Sequence, residues 1–582
     1  MNEQEMLRYY VKRAAQAYDE DFGMLAVQIK NLNTGYHSRQ VGLIHPNCYN
    51  GIFAQAVLCT GYEPEYEHAL GIVERLCDTQ DTRENGPFFG LWSNNQDEPL
   101  DQMIVPDFNR ADFINRFLQH IICESKCPIP EALRQKILKA IRNAAVCTMR
   151  RNVGLDYSNI IAMTCLTLVR AGEILEDAQI MAFAKRKMRL AVEYLRFNGA
   201  WSEYNSSGYV LTIMDAVSSM LQTFQDPECL EMAKEMSWYA WRQLAQHYNM
   251  TLGQLTPPQA RSYIDVENGD LAWQIWRGTK GKYGWPVHVD MDLPFNIQTS
   301  EEHMIGMLLT PLDCPEDLYP LFEETERFIA DTYYKKNTIR DKDEDFTIIR
   351  EWDSPDLTAY SYQTPKFSMG AFSLCDTWVQ RRNCMVVWDK EKPKVFRIRS
   401  IEGNYDFCGG VTYAQQKDNQ ILGQVGLVTD RGTFHFILDK VKNGIYNTDA
   451  LYFQFTLGGA CEDLTIRQDG KDFFVEDGEL TIKLHIEKWL YDGKDAPVYV
   501  SADGKSVILE GYKGEKTMLD TNILGETCGV FTMTVEDPTH KAVEAPLSWE
   551  LADGKLSSRW GALVVESPAK PVTYREALGL KA

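Results

Sequence analysis

The chain has 582 residues, of which 44% are hydrophobic, 24% charged and 11% aromatic. This composition is globular and longer than one compact core usually holds, and it excludes a mainly disordered, collagenous or coiled-coil protein. Asp and Glu number 82 against 60 Lys and Arg, which leaves a formal net charge of −22 at pH 7. Such a surface repels phosphate backbones, anionic lipids and long polyanions, so neither nucleic acid nor a membrane is an expected partner.

The first residues lack the basic and apolar regions of a secretory signal, and no apolar stretch is long enough to span a bilayer. The 14 cysteines follow no disulfide framework. Cys123 and Cys127 lie close together, but no second Cys pair or His pair accompanies them to complete a zinc set. We therefore expect a soluble protein of the reducing cytoplasm.

Helical periodicity dominates the chain up to about residue 335. The stretches Ile160–Leu175 and Tyr209–Phe224 are apolar on nearly every side, whereas Ile180–Phe197 and Cys229–Tyr248 are amphipathic. A helix that is apolar all round has to be covered on every side, so this alternation predicts inner and outer helices. The pattern is typical of an (α/α) toroid; a solenoid of helix hairpins is the alternative, but no fixed-period repeat supports it.

From about residue 385 apolar residues recur at every second position instead of at helical spacing, as in the strict alternation of Leu480–Glu487. Asp-Gly pairs recur between such short runs and predict tight hairpin turns. The fold class expected is therefore α+β and multidomain, with a toroid followed by an antiparallel β-sandwich. We expect the toroid to be a catalytic domain over residues 1–384, with a joining segment from about 336, and the sandwich to span 385–582.

Polar and aromatic residues collect where the predicted inner helices begin, at the mouth of the toroid cavity. Asn159 opens one such helix; N-capping is the alternative role, which fits Ser158 better than Asn159, since Asn159 falls inside the helix if Ser158 caps it. The loop before the next inner helix combines stacking faces with hydrogen-bonding groups, as a sugar site requires; its residues include Trp201, Glu203, Tyr204, Asn205 and Tyr209.

A proline-fixed loop follows the next outer helix and carries Arg261 and Tyr263. An arginine in this position can bind a carboxylate through two hydrogen bonds, although an ordinary solvated loop is an equally simple explanation.

Weaker candidates lie elsewhere in the chain. Trp92 and Asn109 precede early helices, where they either line the same mouth or cap those helices. His45, His288 and His303 stand in aromatic or polar surroundings, but a single histidine is more often structural than catalytic.

Asn159, followed fifty positions later by Tyr209 at the end of the stretch Glu203–Tyr209, resembles the toroid-plus-sandwich polysaccharide lyases. These are the heparinase II/III-like and oligoalginate lyase group. The strings Gly253–Tyr263 and Tyr362–Gly370 are similar to segments of uncharacterised bacterial and fungal proteins commonly labelled heparinase-like.

The resemblance implies that Tyr209 is the catalytic acid and that Asn159 helps to neutralise a uronate carboxylate. In that group an adjacent histidine can serve as base, but Ile160 stands at that position here, and Asn205 replaces the usual glycine. A histidine base then has to come from elsewhere, or Tyr209 both removes and returns the proton. The group's zinc-site pattern is not recognisable in the sandwich, so we expect no metal and no other cofactor.

The leading hypothesis is a carbon–oxygen lyase that cleaves a uronic-acid-containing oligosaccharide by β-elimination. Arg261 and Asn159 would neutralise the carboxylate and Glu203 would orient Tyr209 or a sugar hydroxyl. The remaining residues of the expected site comprise Tyr263 and His288 as catalytic groups and Trp201, Tyr204, Asn205, His45, Asn109, Trp92 and Tyr362 as substrate-binding groups.

A glycoside hydrolase on the same toroid is the alternative. It requires two carboxylates across the cavity, which Glu203 with Asp107, Asp156 or Asp265 would supply. A non-enzymatic oligosaccharide-binding protein is a third interpretation, disfavoured because the aromatic and polar clusters fall in the helical part. The partner expected is an oligosaccharide, and the sequence is compatible with a monomer and with a homo-oligomer.

Overall fold

The structure is a computed structural model, and it describes residues 2–30, 40–267, 269–286, 297–333, 338–341, 348–351, 357–435 and 438–580. Its α-helices are α1 Glu3–Ala15, α2 Asn47–Thr60, α3 Tyr66–Thr79, α4 Asn109–Glu124, α5 Glu131–Arg151, α6 Ser158–Ile174, α7 Ala178–Asn198, α8 Ser207–Thr223, α9 Pro227–His247, α10 Asp270–Gly278, α11 Ile297–Leu309 and α12 Tyr574–Ala577. Among these helices none is long and apolar enough to cross a membrane.

The β-strands are short in the first half of the chain and longer in the second half. They are β1 Tyr18–Asp19, β2 Met24–Leu25, β3 Val27–Ile29, β4 Gly42–Ile44, β5 Tyr248–Asn249, β6 Gln254–Leu255, β7 Arg327–Tyr333, β8 Thr338–Asp341, β9 Ile348–Glu351, β10 Leu357–Gln363, β11 Phe367–Phe372, β12 Cys384–Trp388, β13 Lys394–Glu402, β14 Tyr405–Asp406, β15 Gly410–Lys417, β16 Gln420–Leu427, β17 Ile445–Gly459, β18 Arg467–Asp469, β19 Asp472–Asp477, β20 Leu480–Tyr491, β21 Lys494–Asp495, β22 Val498–Val500, β23 Ser506–Asp520, β24 Cys528–Glu536, β25 Leu547–Ala552, β26 Lys555–Trp560 and β27 Leu563–Pro568.

The chain forms two compact units that interleave in sequence. The first, here called the helical unit, comprises Met1–Phe197, Leu211–Tyr239 and Pro286–Asp313. The second, here called the β unit, comprises Asn198–Val210, Ala240–Trp285 and Cys314–Ala582.

Burial follows the predicted alternation of helix types in the helical unit. Every residue from Ser158 to Gly172 in α6 is buried, whereas the preceding helix α5 buries one face, which includes Leu133, Ile137 and Ile141. Helix α4 packs against α5 and α6. An apolar helix covered on all sides beside an amphipathic neighbour is the two-layer arrangement that the sequence predicted.

The β unit contains two large antiparallel sheets. Of the described strands, β22-β23-β17-β13-β12-β11-β10-β7 form the first sheet in that order, with β14 beside β13. The second sheet has the order β15-β16-β24-β20-β19-β18, with β21 beside β20. Phe396 and Phe455 of the first sheet share one apolar core with Leu484, Phe531 and Met533 of the second, as in a β-sandwich.

The alternating stretch that begins at Leu480 is strand β20, in which buried and half-buried residues alternate. The turn that ends this strand has Asp492 and Gly493 at φ 49° and 74°, the left-handed backbone that an Asp-Gly hairpin turn requires. A helical region followed by antiparallel sheets confirms the predicted fold class, a toroid followed by a β-sandwich.

The first sheet begins earlier in the chain than residue 385, where the alternating apolar pattern starts. Strands β10 and β11, which fall in the predicted joining segment, are paired with each other and continue the sheet toward β12. Strand β11 is buried at every position, so its sequence does not alternate between apolar and polar residues. A strand covered on both faces lacks the period-two signal by which strands are recognised.

Candidate active site

Two loops of the β unit are tied together by buried polar side chains. Asn205, at φ 52°, donates hydrogen bonds to the carbonyl oxygens of Thr256 and of Pro258, the latter at 3.1 Å. The hydroxyl of Ser206 donates to the carbonyl oxygen of Arg261. Asn205 was expected to contact substrate, but the structure buries its side chain and uses the amide to hold the two loops in register.

Arg261 lies at the centre of the cluster that results. Its Nη1 donates to Oε1 of Glu203 at 2.5 Å, its Nη2 donates to the Tyr209 hydroxyl at 2.7 Å, and its Nε donates to Oε1 of Gln380 at 3.1 Å. The guanidinium carbon lies over the rings of Tyr209 and Trp378, 4.2 and 3.9 Å from their centroids. Arg261 is only 3% exposed, so this stacking and the ion pair fix the group in one orientation.

Tyr209 connects this buried cluster to the surface. It lies in the first turn of α8, and its hydroxyl, which accepts from Arg261, donates to the hydroxyl of Tyr263 at 2.9 Å. Tyr263 is 63% exposed. The Tyr209 hydroxyl therefore has a charged donor on one side and a route to solvent on the other.

The electrostatic surroundings keep Tyr209 protonated. Burial raises the pKa of Tyr209 well above its usual value; Arg261 opposes the rise, while Tyr263 and Glu203 add to it. Arg261 does not hold Tyr209 ionised, because burial outweighs its effect and the Glu203 carboxylate offsets the charge of the guanidinium. The neutral phenol is the form that can act as a general acid.

The cluster combines four residues that the sequence singled out, namely Glu203, Tyr209, Arg261 and Tyr263. Sequence reasoning missed Trp378 and Gln380, which complete it. Both lie in the predicted joining segment, far along the chain from the loops that they contact, and no local pattern connects them to Arg261.

Tyr204 belongs to a second polar network. Its hydroxyl lies 2.6 Å from both Oδ2 of Asp331 and Nε2 of His247, and Nδ1 of His247 donates to the Gln243 carbonyl at 2.8 Å. Burial lowers the pKa of His247, so the imidazole is neutral, and its Nε2 and the Asp331 carboxylate are the two acceptors available to the one proton of the Tyr204 hydroxyl. The ring of Tyr204 is 0% exposed and has no free face for the sugar stacking expected of it.

Replacing Tyr204 by phenylalanine is expected to lower the free energy of unfolding by about 1–3 kcal/mol, because the acceptor of the buried Tyr204 hydroxyl loses its hydrogen bond. Urea-induced unfolding followed by fluorescence measures the change. Tyr263→Phe is the matched control, expected within about 0.5 kcal/mol of the parent because its hydroxyl is exposed. Equal effects of the two substitutions would show that the network adds nothing to stability.

The other predicted residues of the β unit are also held in place by protein contacts. Trp201 is 3% exposed, and its backbone N–H donates to Gln243 at 3.1 Å. Tyr362 lies in β10 and donates to Oε1 of Glu326 at 2.8 Å. Neither side chain offers a stacking surface to a sugar in this conformation.

His45, Trp92, Asn109 and Asn159 of the expected site lie in the described part of the helical unit. His45 lies 2.9 Å from Asp97 and stacks on Phe22, with the ring centroids 3.6 Å apart. Trp92 is 0% exposed and donates to the carbonyl oxygen of Leu76 at 2.7 Å, which makes it a core residue.

Asn109 is the first residue of α4 and donates to the Tyr157 hydroxyl at 3.2 Å. Asn159 is the second residue of α6 and is buried. His288 lies outside the described residues.

A family model described as a domain of unknown function (DUF8769) matches residues 4–277. Among curated proteins no sequence matches this chain. The structure of heparinase III is similar over 98% of this chain and 91% of that one, with a TM-score of 0.45 and 9% identity. A chondroitin AC lyase of Streptomyces coelicolor A3, in complex with chondroitin sulphate, has a TM-score of 0.41 and 9% identity, covering 97% of this chain and 85% of that one.

A GH76 alpha-mannanase from Bacteroides thetaiotaomicron is similar over 52% of this chain and 94% of its own, with a TM-score of 0.31 and 13% identity. The predicted resemblance to the heparinase-like group is thus confirmed as a distant structural similarity, and the fold resembles that of polysaccharide lyases. Because one fold carries several chemistries, similarity at this level assigns no activity.

Proposed function

We propose that this chain is a lyase that cleaves a uronic-acid-containing oligosaccharide by β-elimination, with Tyr209 as the catalytic acid and base. The observation that carries the proposal is the position of the Tyr209 hydroxyl, which accepts from a buried arginine and donates toward an exposed tyrosine. Proton transfer at a sugar needs one group that can exchange its proton with both solvent and substrate. The hydrogen bond to Tyr263 gives Tyr209 the connection to solvent.

The proposed step is a syn elimination. Tyr209 first loses its proton along the hydrogen bond to Tyr263, and the phenolate then takes the C5 proton of the uronate. The C5–H electron pair forms the C4–C5 double bond as the C4–O4 bond breaks, and the new phenol proton goes to O4 of the leaving sugar. Atoms and charge balance without a metal or a second reactant.

Arg261 supports this step as a positioning residue. All three of its nitrogens donate within the cluster, so its contribution is to hold Tyr209 and to stabilise the phenolate that forms. This differs from the expectation that Arg261 binds the substrate carboxylate directly.

The hydrolase alternative has less support from the carboxylates that it would use. Glu203 is paired with Arg261, and Asp265 lies 2.5 Å from Nε of Arg382. Neighbouring arginines hold the pKa of Asp265 below its usual value despite its burial, which is opposite to the rise that a general acid requires. Asp107, in the helical unit, lies 3.3 Å from Arg110 and is likewise paired.

Incubation with a panel of uronate-containing oligosaccharides is expected to produce rising ultraviolet absorbance together with new reducing ends. Elimination conjugates a C4–C5 double bond to the carboxylate, and this product absorbs, whereas a hydrolysis product does not. Short oligosaccharides are the substrates of choice because the net charge of −22 repels long polyanions. New reducing ends without absorbance would contradict the lyase and favour a hydrolase.

A further inference from the structure

A small polar cavity of about 20 Å³ lies in the β unit, and neither Arg261 nor Tyr209 lines it. Its charged lining residues are Arg381, Arg397, Arg399 and Asp406. Three guanidinium groups therefore face one carboxylate, in a chain whose overall charge is −22. A local excess of buried positive charge in an acidic protein calls for a specific explanation.

Within the part of the chain that the structure describes, no carboxylate pairs with Arg381. Its Nη2 donates to the carbonyl oxygens of Phe407, at 3.0 Å, and of Gly410, and to the hydroxyl of Ser400 at 3.2 Å. Its Nη1 donates to the carbonyl oxygen of Trp378 at 3.2 Å. All of these acceptors are neutral, so the charge of Arg381 is solvated by dipoles rather than cancelled.

Arg397 and Arg382 share a single carboxylate. Their Nε atoms lie 2.9 and 2.5 Å from the same oxygen of Asp265, yet neither N–H points at it with hydrogen-bond geometry. Arg397 is 7% exposed, and its Nε has no hydrogen-bond partner among the described residues. An ion pair without aligned hydrogen bonds recovers only part of the cost of burying the charges.

The last arginine of the cavity is fully paired. Nε and Nη2 of Arg399 donate to the two oxygens of Asp406 at 2.8 and 2.9 Å. Among the described residues, Arg381, Arg382, Arg397 and Arg399 thus pair with two carboxylates, Asp265 and Asp406, which leaves an excess of two positive charges. Burial and the nearby Arg382 lower the pKa of Arg397 to about 10, as expected of a guanidinium whose charge is not offset.

We propose that this cavity binds a small oxyanion, a sulfate or carboxylate group, with Arg397 as its principal ligand. Such a group accepts hydrogen bonds from a guanidinium, and the Nε–H of Arg397 makes none to the described residues. The Asn383 amide, which also lines the cavity, supplies a further donor when its NH₂ faces the anion. The anion is either free in solution or carried on a sugar.

Thermal unfolding with sodium sulfate tests the site, with sodium chloride at matched ionic strength as reference. We expect sulfate to raise the unfolding temperature saturably, by roughly 2 °C or more beyond chloride, because a ligand bound only to the folded state stabilises it. Sodium acetate and sodium glucuronate, compared in the same way, distinguish a free carboxylate from one carried on a sugar. If the unfolding temperature depends on ionic strength alone and is the same in sulfate and in chloride, the proposal is overturned.

Arg397→Met removes the charge and keeps the length of the side chain, and it is expected to abolish the difference between sulfate and chloride. Without sulfate, this variant should unfold at or above the parent temperature, because a buried charge without full compensation is removed. Arg467→Met, at an exposed arginine paired with Glu476 in the same unit, is the control and should retain the sulfate effect. An equal sulfate effect in the parent and in Arg397→Met overturns the proposal.

Discussion

Replacing Tyr209 by phenylalanine is expected to reduce kcat for elimination about 10³-fold or more, with little change in KM. The substitution removes the only atom that exchanges a proton with substrate in the proposed step, and positioned acid–base groups typically contribute 10²–10⁴-fold. The ring that stacks on Arg261 stays in place, so the fold should be retained. Initial rates of ultraviolet absorbance on a confirmed substrate measure the loss.

Tyr263→Phe is the matched control for this experiment. It removes the partner hydroxyl from the exposed end of the hydrogen bond and leaves the reacting phenol intact. We expect a loss of less than about tenfold, because water at an exposed site replaces the hydroxyl as proton acceptor. If Tyr209→Phe kept more than a tenth of the parent rate, Tyr209 would not be the proton carrier.

The architecture was predictable because burial patterns follow from local sequence. The alternation of apolar and amphipathic helices identified α6 as an inner helix, and the structure buries it on all sides. The alternation of apolar and polar residues identified β20, because alternate residues of this strand are buried. Strand β11 was not predicted, because it is buried on both faces and so lacks the regular polar positions of a half-exposed strand. Burial on both faces is set by the tertiary structure and not by the segment itself.

The site was predictable only in part. The loop residues Glu203, Tyr209 and Arg261 were found because helix starts and proline-fixed loops concentrate functional groups. The arrangement of these residues relative to one another could not be predicted. The Glu203 ion pair that offsets the charge of Arg261 forms only once the two loops meet in the fold. Likewise, Tyr204 and Tyr209 occupy one short stretch, but one side chain is enclosed in the core and the other reaches Tyr263.

Replacing Glu203 by glutamine is expected to move the rising limb of the pH–kcat/KM profile to lower pH, by roughly one unit. The base form of Tyr209 is the phenolate, so in the parent the rate should climb tenfold per pH unit below the raised pKa. Glu203 is one of the groups that raises this pKa, and its removal leaves the charge of Arg261 uncompensated. A lower pKa supplies more phenolate at a given pH, which shifts the limb toward acid.

The amide of glutamine still accepts the hydrogen bond from Arg261, so the variant separates charge from geometry. Glu326→Gln is the matched control. The Glu326 carboxylate also accepts a hydrogen bond from a tyrosine, Tyr362, but it is not part of the Arg261 cluster. The pH profile of this variant should therefore stay unchanged. A two-carboxylate hydrolase predicts the opposite result, loss of turnover at every pH, because an amide neither donates the proton of an acid nor acts as a nucleophile. Elimination that persists with an acid-shifted profile therefore supports Tyr209 as the titrating base, whereas an unshifted profile would show that Glu203 does not control its charge.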